Sequence, residues 1–134
     1  MAAVAKITDP TEPFVRFLFD GHYRKSDMTV KWQAFKPAPD DNRTSIYSPR
    51  GLAEAVVWAY GADVATQRGQ QLKGRTDFSN LSIIEVNSGL FAEWDPPPQE
   101  HACIGGWPEP DDVPEVMALA RDLAEQCSKV VPPP

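Results

Sequence analysis

FVRFLFDGHYRKSDMTVKWQAFK, residues 14–36, is the stretch on which the fold class turns. It opens with Phe14 to Phe19, an unbroken aromatic and branched run closed by Asp20-Gly21, the composition of a buried strand entering a turn. It closes with Thr29 to Lys36, where Val30, Trp32 and Ala34 alternate with Lys31, Gln33 and Phe35, the period-two pattern of a half-buried strand. The two runs predict a hairpin whose polar connection, Gly21 to Met28, is longer than a tight two-residue turn.

Working outward, Thr44 to Tyr47 reads as a third short strand after the loop Pro37-Ala38-Pro39-Asp40-Asp41-Asn42. Ser48 as cap and Pro49 as first helical residue predict a helix carrying Leu52, Ala55, Val56 and Ala59 and stopping at Gly61. Gly61 to Ser79, interrupted by Gly69 and Gly74, reads as loop with one helical turn near Val64 to Gln67. Asn80 to Asn87 and Glu100 to Trp107 read as strands. Val113 to Ser128 is a second helix, with Asp111 or Asp112 as cap, Pro114 in its first turn and Lys129 beyond its end. Val113, Val116, Met117, Ala120, Leu123, Ala124 and Cys127 form its apolar stripe. The expected fold is α+β: a small, mostly antiparallel sheet of four or five strands with two helices packed on one face. Residues 1–13 are expected as an N-terminal arm, 14–128 as a single domain, and 129–134 as a proline-rich C-terminal tail.

The totals limit the function classes. At 134 residues the chain has the commonest single-domain size and can bury one core without disulfides. Its 14 prolines cluster, and the clusters mark loops between elements. No apolar run is long enough for a membrane span and no basic leader with an apolar run opens the chain, so no membrane contact and a cytoplasmic location are expected. Cys103 and Cys127 lie apart beside apolar residues, as buried thiols do. A net charge of −6 repels a phosphate backbone unless basic residues gather. Arg16, Arg24, Lys25, Lys31 and Lys36 crowd the first third and acidic residues the last, so nucleic acid is accommodated only through the basic first hairpin.

His22 and His101 are the only two histidines, each near a strand end. Brought together, one serves as general base and the other as general acid toward a phosphodiester, with Lys36 or Lys25 stabilising developing charge. The plainer reading gives them separate structural jobs, His22 in a turn and His101 donating to a carbonyl. His101 and Cys103 share a strand face and with His22 and Asp20 make a thin zinc set without a second close-spaced ligand pair, so neither metal nor cofactor is expected. Ser45 and Ser48 have no GxSxG setting, and Ser48 is accounted for as a helix cap. Trp32 and Trp58 fall on periodic faces and read as core. Trp94 and Trp107 sit in proline-rich loops, where they are candidates for meeting a protein partner.

Arg16, the Ser45 to Ser48 strand and the helix after it resemble, in layout, the order of elements in ADP-ribosyl-transfer folds. That layout would place a catalytic glutamate at Glu85, Glu93 or Glu100. A second resemblance is carried by His22-Tyr23, Ala34-Phe35-Lys36-Pro37, Asp41 before Thr44-Ser45-Ile46-Tyr47, and His101-Ala102. This ordered pattern, over roughly residues 14–125, resembles a set of small bacterial proteins with no assigned function. It implies that His22, Lys36, Asp41, Ser45 and His101 belong to one site. It also implies a setting among defence or toxin-antitoxin genes, and hence a protein partner encoded nearby. The expectation is therefore an accessory or interaction protein of such a system, with a small metal-independent enzyme on RNA or a nucleotide as the alternative.

Overall fold

Phe14 and Leu18 of the second strand enter one core, whereas Val15 and Phe17, with Phe19 just beyond, enter another, so this strand is covered on both faces. Burial on both sides is why it reads as a continuous apolar run rather than an alternating one. The structure is a computed structural model that describes residues 6–86 and 89–134. In chain order it comprises β1 (Lys6–Ile7), β2 (Pro13–Leu18), β3 (Tyr23–Arg24), β4 (Thr29–Val30), a 3-10 helix (Trp32–Phe35) and β5 (Thr44–Tyr47). Then come α1 (Glu54–Arg68), β6 (Gly74–Ser79), α2 (Asn80–Val86), β7 (Phe91–Trp94), β8 (His101–Gly105) and α3 (Val113–Glu125). Six strands form one antiparallel sheet in the order β1-β7-β8-β5-β2-β6, and β3-β4 is a separate ribbon.

The larger core joins Phe14, Ile46, Ala92, Ala102 and Ile104 of the sheet to Ile83 of α2, Phe35 of the 3-10 helix and the Val116, Leu119, Ala120, Leu123 and Ala124 stripe of α3. Phe78 meets Phe14 and Phe35 ring to ring, at centroid distances of 5.8 and 5.4 Å. On the opposite face α1 covers Val15, Phe17 and Phe19 through Val57, Tyr60, Val64 and Ala65. The sheet therefore has helices on both faces, three α-helices among the described residues, where the sequence predicts two on one face. None of these helices is long and apolar enough to cross a membrane.

Several expected elements differ, each for a tertiary reason. The predicted hairpin partner of β2 shrinks to Thr29–Val30, which pairs with Tyr23–Arg24 instead, and Trp32–Phe35 turns into a 3-10 helix. There the Lys31 and Gln33 carbonyls accept from Ala34 and Lys36, and Phe35 reaches the core under α3. The neighbours of β2 are β5 and β6, the latter in register from Pro13↔Ser79 to Leu18↔Gly74. Helix α1 begins after Ala53 and passes through Gly61 to stop at Gly69, whose φ of 64° is the left-handed conformation of a helix C-terminus. Gly61 is tolerated inside the helix because a Cβ there would lie 2.8 Å from the Phe17 ring. Ser48 does not cap it; its hydroxyl is buried and donates to Glu12.

The segment expected as loop before Ser79 contains β6, and the strand expected at Asn80 to Asn87 is helical over Asn80–Val86, with Asn87 outside the described residues. Asn80 anchors that helix, its side-chain amide donating to the Ile7 and Asp9 carbonyls. The outer edge of β6 is closed by the C-terminal segment: Arg75 and Val131 exchange both backbone hydrogen bonds, and Val130 is buried. A side chain at Gly74 would collide with Val130 and the Val131 carbonyl, so glycine there lets the segment lie against the strand.

Candidate active site

Strands β5 and β8 alternate with the same period, so Thr44, Ile46, Ala102 and Ile104 face the larger core or its margin, and Ser45, Tyr47, His101 and Cys103 share the other face. In register, Ser45 lies opposite Cys103 and Tyr47 opposite His101. Ser45 and His101 are thus diagonal neighbours, within reach of one another across the pair. Helix α1 roofs the β2 side of this face, and the polar side chains of β5 and β8 line a cleft beside it.

The Ser45 Oγ stands 2.5 Å from His101 Nε2. On the other side of the ring, Nδ1 is 2.7 Å from the Asp95 carbonyl oxygen and 3.4 Å from the Asp95 carboxylate. A carbonyl oxygen only accepts, so Nδ1 carries the proton, and in the neutral imidazole Nε2 accepts from the Ser45 hydroxyl. Asp95 follows β7 on the β7–β8 connection, and its position is set by Asp95 N donating to the His101 carbonyl at 2.9 Å. Tyr47 packs on the imidazole at a centroid distance of 5.1 Å and stacks on Tyr60 of α1 at 5.2 Å. A hydroxyl, an imidazole and a group that orients the imidazole are the elements of an activated nucleophile.

The cleft has two adjoining lobes, of about 300 and 240 Å³, which share Arg16, Ser45, Arg68 and His101. Phe17, Tyr47, Val64, Pro97 and Pro98 give one lobe an apolar wall. Lys36, Asp40, Asp41, Arg43, Asp95 and Cys103 line the other. Arg16 lies at the bottom because β2 and β5 are in register only at Val15↔Tyr47 and part beyond it. In that gap its Nε donates to the Ala34 carbonyl at 2.8 Å and its Nη1 to the Ser45 carbonyl at 2.7 Å, replacing ladder bonds that the strands do not make. Burial, together with the nearby Arg68 charge, pushes the Arg16 pKa down to about 9.

Of the residues singled out in the sequence, Lys36, Asp41, Ser45 and His101 line one lobe. Asp41 is partly engaged, its carboxylate accepting from the Arg43 backbone N–H. His22 lines neither lobe. Its Nδ1 accepts from the Phe19 backbone N–H at 3.0 Å and its ring stands edge-on to Phe19. Burial, then the charges of Arg16 and Arg68, push its pKa down to about 4. The side chain beside the His101 Nε2 is that of Ser45, while His22 is engaged with Phe19. Trp107 is not a surface residue either: it is buried in the larger core and its indole N–H donates to the Ile104 carbonyl. Trp94 is half-buried and lines a separate cleft of about 470 Å³ with Glu12, Ser48, Arg50, Pro96, Gln99 and Glu100.

Asp95, His101 and Cys103 bring three ligand-type atoms within 4.8 Å of one another, a set that does not include His22 or Asp20. Each atom is already satisfied: Nδ1 faces the Asp95 carbonyl, and the Cys103 thiol donates to the Asp95 carboxylate, which Arg43 also approaches at 3.7 Å. Burial and the Asp95 carboxylate push the Cys103 thiol up to about 12, away from the thiolate a metal requires. The glutamates of the ADP-ribosyl-transfer layout are elsewhere: Glu93 pairs with Arg43, Glu100 accepts from the Tyr60 hydroxyl, and Glu85 is exposed on α2. Asp95 and Arg68 are the cleft residues that sequence reading misses. The one visible signal was Asp95 standing before three prolines in the connection that ends at His101.

Comparison with protein-family models, with curated proteins and with solved structures finds no match to this chain.

Proposed function

We propose that the protein is a small metal-independent enzyme in which Ser45 is the nucleophile and His101 its general base. The observation that carries this reading is the pair Ser45 Oγ to His101 Nε2 at 2.5 Å, continued through Nδ1 to Asp95 and open to a cleft. His101 Nε2 takes the hydroxyl proton as Ser45 Oγ bonds to the electrophilic carbon or phosphorus of the substrate. The bond to the leaving group breaks, and the leaving group departs with the proton from His101. Water, deprotonated in turn by His101, cleaves the Ser45 ester and restores the hydroxyl. Asp95 keeps the imidazole in the tautomer that accepts, and the buried guanidinium of Arg16 stabilises negative charge that develops near Ser45.

A fluorophosphonate probe tests this reading, since it forms a stable adduct with a serine whose hydroxyl is activated and not with ordinary serines. The expected result is a single adduct on the peptide containing Ser45, absent in Ser45→Ala and lost or strongly slowed in His101→Gln, with both variants folded by circular dichroism. Absence of an adduct on the wild-type chain, or an adduct that persists in Ser45→Ala, overturns it.

The partner reading keeps one observation. Trp94 stands half-buried in its own cleft, on the connection that also carries Asp95, which suits an accessory protein of a bacterial defence or toxin-antitoxin system recognised at that edge. Mixing with the proteins encoded next to it, for wild type and Trp94→Ala, tests that reading. A neighbour that binds the wild type at micromolar concentration and not the variant supports it, and no binding overturns it.

A further inference from the structure

We infer that the cleft holds the phosphate of a monoester between Arg16 and Arg68, with the apolar part of that ligand against Tyr47, Pro97 and Pro98. The inference goes beyond the serine-enzyme reading and does not depend on Ser45 being the nucleophile.

It starts from a buried charge with nothing to balance it. Arg16 is 6% exposed, and among the described residues no carboxylate lies within ion-pair distance of it. Neutral carbonyls take Nε and Nη1, so Nη2 is left without a hydrogen-bond partner among the described residues, and the residue lines both lobes of the cleft. A buried cation is ordinarily paired, because desolvating an unpaired charge is costly. A second cation, exposed and without an ion pair among the described residues, stands beside it. Arg68, in the last turn of α1, lines the same two lobes, and its guanidinium lies over the Phe19 ring at 4.7 Å. The carboxylates of the cleft line only the second of these lobes, together with both arginines, and are engaged or exposed there: Asp95 faces His101, Cys103 and Arg43, Asp41 accepts from the Arg43 backbone N–H, and Asp40 is exposed.

Two guanidiniums with no ion pair among the described residues fit a phosphate monoester, which carries about −2 at neutral pH and offers oxygens to both forks, better than a carboxylate with a single charge. The lobe next to them has Tyr47, Val64, Pro97 and Pro98 on its wall, so the organic part of the ligand meets an apolar surface. The pKa of neighbouring His22 is lowered first by burial and then by the charges of both arginines.

The test is isothermal titration of the Ser45→Ala protein with inorganic phosphate, phenyl phosphate and benzoate at low ionic strength. Phenyl phosphate is expected to bind saturably and at least ten-fold more tightly than either of the others. Arg68→Gln, which removes no side-chain hydrogen bond or ion pair among the described residues and only its ring contact with Phe19, is expected to weaken it ten-fold or more with a melting temperature close to that of the wild type. Arg16→Lys is expected to weaken it as well, and nuclear magnetic resonance on that variant establishes that it is folded. No saturable binding of phenyl phosphate, binding that is indifferent to Arg68→Gln, or benzoate binding as tightly, overturns the inference. Failure here leaves fluorophosphonate labelling of Ser45 intact, whereas failure of the nucleophile reading leaves phosphate binding by Ser45→Ala intact.

Discussion

Arg16 donates from Nη1 to the Ser45 carbonyl at 2.7 Å, so the buried cation and the candidate nucleophile are held by one hydrogen bond at the place where β2 and β5 part. The same guanidinium holds the Ala34 carbonyl through Nε, tying the 3-10 helix to the sheet. Lysine keeps the charge but has no fork, so in Arg16→Lys one of the two carbonyls loses its donor. A buried carbonyl without a partner costs about 1–3 kcal/mol. Urea denaturation is expected to show a loss of that size, with labelling of Ser45 reduced along with it. Unchanged stability would mean that the two carbonyls find other donors.

Gly61 lies inside α1 against the Phe17 ring. On helix propensity alone Gly61→Ala stabilises by about 1 kcal/mol. The 2.8 Å approach of an added Cβ to two ring atoms, with Leu72 at 3.0 Å, predicts the opposite sign. Overpacking a close helix–sheet contact typically costs about 1–3 kcal/mol, so the net effect is expected to be a lower urea midpoint. A raised midpoint would show that the ring yields freely.

His22 is held neutral by burial and by the charges of Arg16 and Arg68, with its pKa near 4 against an ordinary 6.5. Above pH 6.5 the ring is neutral folded or unfolded and contributes no pH dependence. Between 6.5 and 4 the unfolded chain takes up a proton that the folded chain refuses, so stability falls as pH falls through that window. In His22→Asn the amide oxygen can accept from the Phe19 N–H in place of Nδ1. Stability curves measured from pH 7.5 to 4 are expected to fall less steeply for this variant, and parallel curves would refute the assignment.

Cys103 and Cys127 are free, and burial is the main cause that pushes each thiol up to about 12. Thiolate is the reactive species, so neither residue is expected to react with Ellman's reagent at pH 8 in the folded protein. Both are expected to react once guanidinium unfolds the chain. Rapid reaction of either thiol in native buffer would count against the Cys103 to Asp95 bond or the burial of Cys127.

How much of this was legible depends on whether a residue's role follows from its own strand or helix. Thr44 to Tyr47 alternates because one face lies in the core and one on the cleft, and the α3 stripe reads as a helix for the corresponding reason. Trp32 to Phe35 alternates too, yet forms a 3-10 helix, because Phe35 must reach the core beneath α3 while the chain turns back from the β3–β4 ribbon. Gly74 to Ser79 carries little apolar signal, since its polar residues bond to other elements: Arg75 to Glu54 of α1, and Thr76 and Asp77 to Ser128. No window along the chain contains those partners. Asn80 to Val86 misleads in the same way, as Leu81 and Ile84 give it a strand-like composition while remaining exposed on a short helix.

Alternation by itself determined that His101 and Cys103 share one face of their strand, whereas their meeting with Ser45 follows from the pairing of β5 and β8. The shared face follows from side chains pointing to opposite faces at every second residue, a local property of a strand. Only the tertiary structure decided that His22 stays with Phe19 and that Asp95 orients the imidazole. It also decided that Arg16 is buried in the gap between two parting strands, without an ion pair among the described residues, and that Arg68 joins it from the far end of α1. These depend on where the β7–β8 connection folds and on how far two strands stay in register, which are set by contacts between residues distant in sequence.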